Sequence, residues 1–437
     1  MKKILILCGC IVLVLLLSFA DGIIQKKRQA MDAGQAQYDA RSTEADAGKT
    51  SPVSALPDDE DKDTGKTDIV SRDIRVLIKT AGFASEYHEE ITVSSAAGFT
   101  VSGENGSWQS DAGEKQIFTA DSAAFGSDGV LYLKAADGQF EISGLQRARA
   151  SETYEGRLEI RRTDEGLLLI NELPLEQYLC GVVPSEMPSS YPAEALKAQA
   201  VCARTYAAKR MQERNASAFF ADVDDSVSYQ VYNNQDHSEA ADAAVEATEG
   251  RVLVDENGLI DALYYSTSCG LDLHMDLSQE TVFAAFLQTD QVKAYEADEP
   301  WYRWQTTLSM EKLPGVAELS VQKRQESGAA WELCVTDTGG ERDIVEGEYN
   351  IRRFLAGAAA AVTLQDGETM EGMELLPSAF FILQPQYEEG ILTGYRILGG
   401  GYGHGSGMSQ NGAKHMALEG LTCQEILQNY YADAELK

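Results

Sequence analysis

The sequence predicts an α+β fold, and three patterns carry that reading. Between Asp73 and about Arg162, runs such as IRVLIKT, EITVSSAAGFTVSG, GVLYLKA and GRLEIRR alternate apolar with polar residues and are broken by Gly, Asn and Asp, the punctuation of strands and hairpins. From Pro192, PAEALKAQAVCARTYAAKRMQER repeats apolar residues every three or four positions, the period of a helix. Near the C-terminus, GYGHGSGMSQNG (Gly401 to Gly412) runs straight into helix-start signals. The expected architecture is a β-rich part followed by a mixed part built on one long alanine-bearing helix.

The chain opens on an uncharged apolar run, Ile4 to Ala20, preceded by Lys2 and Lys3 and followed by Asp21 and the basic cluster Lys26, Lys27 and Arg28. A signal peptide cut after Ser18, Phe19 and Ala20 fits, and so does a short membrane anchor. The run stays apolar to its end and Ile23 and Ile24 can extend it, which favours an anchor at residues 1–28 with the folded part outside the cytoplasm. Residues 29–70 follow with ten acids, four bases and almost no aromatics, a composition that does not fold and serves as a spacer. The β-rich part is then expected at 71–165 and the mixed part at 166–437.

The net charge of -33 excludes a nucleic-acid partner, since phosphate backbones need clustered Lys and Arg. Cys180, Cys202, Cys269, Cys334 and Cys423 are odd in number and widely spaced, so they read as buried thiols rather than a disulfide framework.

Pro174 begins a short helix over LEQYLCGVV, and Pro192 begins the long one. In the long helix Leu196, Ala200, Ala203, Ala207 and Met211 form a narrow stripe of mostly small residues, the mark of close helix packing. Lys197 and Arg204 lie seven apart on a neighbouring face, either as two solvated cations or as a pair aimed at a hydroxyl-rich ligand. YQVYNN, GRVLVDE and LIDALYYSTSCG read as strands, and the stretch from there to about Pro385 is less regular. In the tail, Ser409 caps a helix that Gly420 stops, and Thr422 with Glu425 makes a capping box for CQEILQNYYA.

Two segments carry chemistry. Glycine at every second position from 401 to 407 would, in an extended chain, put Tyr402, His404, Ser406 and Met408 on one side and bare backbone on the other, while the helix start after Ser409 offers N–H groups to an oxygen-bearing ligand. Glu186 sits in VVPSEMPSSYP between Pro184 and Pro188, on a stiff loop where Val182, Val183, Met187 and Tyr191 can supply apolar walls. A general acid wants that placement: fixed geometry and a site that raises its pKa. GHGSG lacks the glycine two residues before Ser406 that a serine nucleophile elbow requires. Five histidines, with only Cys269 and His274 at short range, give too few ligands for zinc.

Taken together, GRLEIRRTDEGLLLINELPLEQYLCGVVPSEMPSSYPAEALKAQAVCARTYAA, YQVYNN, AVEATEGRVLV, YYSTSCG and GGGYGHGSGMSQNGAKHMA resemble, in order and spacing, the motifs of the stage II sporulation protein D family and of the related amidase-enhancer proteins. The resemblance implies a membrane-tethered lytic transglycosylase that cleaves peptidoglycan glycan strands stripped of stem peptides during engulfment in sporulation. Its partners would be a cell-wall amidase and other engulfment membrane proteins. The S-E-M-P glutamate, Glu186, would be catalytic, and Gln199, Arg204, Tyr402, His404, Ser409 and Gln410 would bind substrate. Some members hold zinc just before the Q-V-Y segment; Asp224, Ser228 and Tyr229 stand there in this chain, so neither metal nor other cofactor is expected. Asn411 replaces a usual aromatic and Cys269 a usual glycine. Glu186 would protonate the glycosidic oxygen between muramic acid and glucosamine, then accept the proton of the sugar's own C6 hydroxyl as the 1,6-anhydro ring closes. The alternative is a non-catalytic glycan-binding enhancer of an amidase.

Overall fold

The computed structural model describes residues 72–147, 152–213, 219–270, 276–288 and 294–437. The expected anchor and linker lie outside these residues, as does His274. Among the described residues no helix is long and apolar enough to cross a membrane. The chain divides into two units, residues 72–264 with 413–437, and residues 265–412. Seven α-helices are described: α1 Leu175–Glu186, α2 Ala193–Glu213, α3 Glu239–Ala247, α4 Glu280–Leu287, α5 Glu348–Ala356, α6 Gln410–Leu418 and α7 Cys423–Tyr430.

The first unit holds nine strands in one sheet: β1 Asp73–Leu77, β2 Glu90–Ser94, β3 Phe99–Gly103, β4 Gly106–Ser110, β5 Gln116–Thr119, β6 Val130–Ser143, β7 Thr153–Arg162, β8 Leu167–Pro174 and β9 Val223–Asp224. Their order is β4-β3-β6-β7-β8-β1-β9, with β2 and β5 paired beside β6. The expected break near residue 165 falls in the turn of the β7–β8 hairpin, where Ile160 faces Leu169 and Leu158 faces Asn171. Along β6, Leu131, Leu133 and Ala135 are buried while Tyr132 and Lys134 are exposed, the period of a strand with one covered face. Leu167 to Ile170 in β8 are all buried, as in a strand covered on both faces.

Pro174 ends β8 and caps α1 directly. The long α2 buries far more than the expected stripe: Ala195, Ala198, Val201, Cys202, Arg204, Thr205 and Ala208 are inside as well. The reason is that neighbours cover it on several sides, with α1, α3 and α7 all packed on it. Small side chains are what allow backbones to approach on more than one face. A small sheet of Leu253–Asp255, Gly258–Leu259 and Glu435–Leu436 completes this unit.

Three signals are met as expected near the C-terminus. Ser409 Oγ accepts the Gly412 N–H at 3.2 Å, and Thr422 with Glu425 forms the reciprocal capping box. Gly420 has φ +95° just beyond α6.

In the second unit the stretch expected to be irregular is largely β. Trp304–Ser309, Val362–Leu364, Thr369–Met370, Phe381–Glu388 and Ile391–Gly399 form a five-stranded sheet, and Val316–Arg324, Ala330–Asp337 and Arg342–Glu346 a three-stranded one. Register shifts between Val316 and Glu318 and between Val321 and Lys323 explain why alternation is hard to see in the first strand of the smaller sheet. Each extra residue turns the buried face over. The core gathers Trp304, Leu308, Leu333, Ile351, Phe381 and Ile397, and a second cluster surrounds Phe283 and Phe380.

All five cysteines in the described residues are free thiols, four buried and Cys180 half-buried. Burial pushes Cys180, Cys202 and Cys269 up to about 12, so they are inert packing residues.

Candidate active site

Glu186 is the last residue of α1, which runs on through Pro184 instead of ending before it. The carboxylate therefore stands on a helix end, not on a loop. The Met187 N–H closes the turn on the Val183 carbonyl at 2.9 Å. Ser185 Oγ donates to the Gly181 carbonyl at 2.7 Å and accepts the N–H groups of Asn234 (2.9 Å) and Gln235 (3.2 Å). Asn233 N–H also reaches the Gly181 carbonyl, at 3.2 Å.

YQVYNN is thus no strand; several of its backbone donors are spent on the end of α1. Gly181 permits this, because a Cβ there would stand 2.6 Å from the Tyr232 ring and 2.7 Å from Asn233 Oδ1. Beneath, the Tyr232 hydroxyl donates to Asn171 Oδ1 at 2.8 Å, and Asn171 Nδ2 bonds the Glu155 and Arg157 carbonyls of β7.

This packing delivers the Val231 N–H to Glu186 Oε1. Glu186 as a residue is partly exposed, yet enough protein surrounds its carboxyl for burial to push the pKa up to about 7, against the opposing pull of the Val231 N–H. The Tyr178 and Tyr264 phenols are raised well above their usual value, first by burial and then by the Glu186 charge. Gln230 links them: Tyr178 OH donates to its Oε1 at 3.2 Å, and its Nε2 donates to Tyr264 OH at 3.1 Å and to the Ala203 carbonyl at 3.2 Å. A carboxyl near neutrality can both give and take a proton at working pH.

In the second unit the glycine-rich segment is not an extended strand. Gly401, Gly403, Gly405 and Gly407 all have positive φ, between +75° and +114°. The bare backbone faces the protein's own atoms: a Cβ on Gly401 would lie 2.7 Å from the Thr267 carbonyl, one on Gly403 2.8 Å from Tyr265 Cβ, and one on Gly405 2.3 Å from the Phe380 ring. The bare backbone thus meets groups of the protein itself, and each of these three positions needs glycine for that reason. The four side chains also part company, with Tyr402 and Ser406 exposed, His404 half-buried and Met408 buried.

Tyr402 pairs with Thr267 through two backbone hydrogen bonds (2.8 and 3.1 Å), and its ring lies 4.5 Å from that of Trp301. His404 Nδ1 accepts the Ser406 N–H at 3.1 Å, and its ring is 5.6 Å from Tyr265. At the start of α6, Asn411 N–H goes to the Ser266 carbonyl and Gly412 N–H to Ser409 Oγ, so two donors expected to meet a ligand meet the protein instead. Asn411 Nδ2 donates to Thr267 Oγ1 at 2.9 Å.

Gly405→Ala is expected to destabilise this unit by about 1–3 kcal/mol, from positive φ and the Phe380 clash together. A lowered thermal midpoint, with the Phe380→Ala background relieving part of it, checks this.

A family model described as "Stage II sporulation protein" matches residues 163–254, and one for a domain of unknown function (DUF8618) matches residues 251–407. A stage II sporulation protein D of Bacillus amyloliquefaciens is 30% identical over 61% of this chain and 75% of its own length. The chain belongs to the stage II sporulation protein D family. An uncharacterized protein of Brachyspira hyodysenteriae is also 30% identical, over 71% of this chain and 76% of its own length. An amidase enhancer of Bacillus subtilis is 29% identical over 59% of this chain and 40% of itself.

The other residues expected to bind substrate in this family member occupy different environments. Gln199 and Arg204 on α2 are wholly buried, as is Ser409; Gln410 is nearly so. Arg204 forms a two-pronged pair with Glu176 of α1, Nε to Oε1 and Nη2 to Oε2, each 2.7 Å. Its Nη1 and Nη2 also reach Thr248 Oγ1 and the carbonyls of Arg251 and Val245. Its guanidinium therefore braces helices in this structure, because all three nitrogens are spent internally. Tyr402 and His404 keep accessible surface. Gln230, Val231 and Tyr264 escaped the sequence reading; the signal available for the first two was a glutamine flanked by aromatics in YQVYNN, and for Tyr264 the paired tyrosines of YYSTSCG.

Proposed function

We propose that this chain is a lytic transglycosylase that cleaves peptidoglycan glycan strands lacking stem peptides, in sporulation, with Glu186 as its single general acid and base. The observation that carries the reading is a carboxyl raised to about 7 on a helix end where an N–H of its own unit holds it. Membership of the sporulation family supports the setting, and the amidase-enhancer name of one relative supports a cell-wall substrate. Hydrolysing glycosidases generally use two carboxylates, whereas a single one suffices when the substrate supplies the nucleophile.

In the proposed reaction protonated Glu186 gives its proton to the glycosidic oxygen as the bond from muramic acid C1 breaks. The resulting carboxylate accepts the proton of the C6 hydroxyl, whose oxygen bonds C1 and closes the 1,6-anhydro ring. Glu186 ends protonated, ready for the next strand, and no water is consumed. An intramolecular attack gains the entropic advantage of a tethered nucleophile. Tyr402 and His404, with their accessible rings, are proposed glycan contacts on the second unit. The segment Ile4 to Ala20 is proposed as the anchor that holds the folded part outside the cytoplasmic membrane.

The printed name of one relative, amidase enhancer, favours a second reading, a non-catalytic glycan-binding stimulator of an amidase. Incubation with amidase-treated glycan separates the two. Mass spectrometry should find anhydro-ended fragments with the wild type and none with Glu186→Ala. Equal products from both, or none from either alongside a stimulated amidase, would remove the enzymatic reading.

A further inference from the structure

We propose that Gln230 is a positioning residue for Glu186, locking the turn that aims the Val231 N–H at the carboxylate. The proposal rests on the catalytic reading of Glu186 above. Gln230 is 1% exposed and its carboxamide is held from three sides: by Tyr178 of α1, by the Ala203 carbonyl of α2 and by Tyr264. Only one orientation of the amide fits, since a carbonyl at Ala203 demands the Nε2 end and leaves Oε1 for the Tyr178 hydroxyl. A buried amide so held fixes its own backbone, and the next residue's N–H with it.

On the other side of Val231 the chain is pinned again. Tyr232 N–H reaches the Asp225 carbonyl at 3.3 Å, and its hydroxyl reaches Asn171. Val231 thus hangs between two buried anchors, and the first is Gln230.

The consequence is electrostatic. A donor aimed at a carboxylate favours the charged form, while burial disfavours it, and the balance sets where Glu186 exchanges its proton. The titratable groups around this balance are Tyr178 from α1, Tyr206 from α2, Asp224 from β9, and Tyr232 and Tyr264. Asp224 is itself engaged, accepting the Ser226 N–H and hydroxyl and lying 3.9 Å from Lys79 Nζ. Loosening Gln230 withdraws that N–H and tips the balance towards burial.

The test is a ¹³C titration of glutamate carboxyls in the purified chain, with the Glu186 signal assigned by its loss in Glu186→Gln. In Gln230→Met, which keeps the volume and removes all three hydrogen bonds, the Glu186 midpoint is expected to rise by about one pH unit while other glutamates stay put. The alkaline limb of kcat/KM should move up by the same amount, which a merely structural defect would not do. An unmoved Glu186 midpoint in folded Gln230→Met overturns the proposal. Should that variant fail to fold, Tyr178→Phe removes the donor to Oε1 alone; a smaller upward move supports the proposal and none overturns it. The carboxyl titration needs no turnover, so it reads the coupling of Gln230 to Glu186 separately from the anhydro products that decide the transglycosylase reading.

Discussion

Glu186→Gln is expected to abolish glycan cleavage and, at the same time, to make the protein more stable above neutral pH. Loss of a general acid and base costs about 10²–10⁴-fold in rate. The stability gain follows from the raised pKa. An unfolded glutamate titrates at its ordinary 4.5, whereas Glu186 in the folded chain titrates at about 7. Between those values the folded state holds the extra proton, so the carboxyl's contribution is complete below 4.5 and is lost as pH rises through 7. The whole loss is worth up to about 3 kcal/mol. Glutamine carries no such slope and can still accept the Val231 N–H. Urea midpoints of the two proteins should therefore agree near pH 4 and diverge near pH 8 in favour of the variant. A constant difference across pH would show that the carboxyl is not desolvated, and with it would go the physical basis for its role as an acid.

The legible parts of this molecule were those where a local rule has one outcome. Pro192 and the three-four repeat place α2 to within a residue at each end, and Thr422 with Glu425 builds the box their spacing implies. Glycine at 401, 403, 405 and 407 signals backbone that tolerates no Cβ, and the structure supplies the reason at Thr267, Tyr265 and Phe380. What a sequence does not print is which side of a close contact the partner lies on. The same blindness hid the Glu186 surroundings: YQVYNN has the β-branched and aromatic content of a strand, but Gly181 clears a seat for Tyr232, and Ser185 and Glu186 take up backbone donors a sheet would have used. Bulges in Val316–Arg324 erased the alternation that reveals strands elsewhere. Charge was the least readable quantity, because Arg204 on a neighbouring helical face looks solvated until Glu176, Thr248 and two carbonyls are folded around it.

Arg204→Ala is expected to destabilise the first unit by about 3–5 kcal/mol, the cost of removing one partner from a buried ion pair. The guanidinium is fully buried, and its loss takes a donor from Thr248 Oγ1 and from the carbonyls of Val245 and Arg251, and the cation from the Glu176 carboxylate, itself 26% exposed at the side chain. Glu176 also accepts the Gly250 N–H at 3.3 Å, so the damage reaches the connection after α3. Replacing both partners, Arg204→Met with Glu176→Leu, should recover much of the loss, since an apolar pair of similar volume leaves no buried charge. Urea unfolding of the two singles and the double closes the cycle, and a coupling near zero would show that the pair contributes little. The same variants decide between bracing and ligand contact. Glu176 lies in the first turn of the helix that ends at Glu186, so a brace that slips moves the catalytic carboxyl and lowers kcat together with stability. A residue that touched glycan would instead raise KM at unchanged stability, and Arg204→Lys, which keeps the charge but loses the two-pronged geometry, should show the first pattern and not the second.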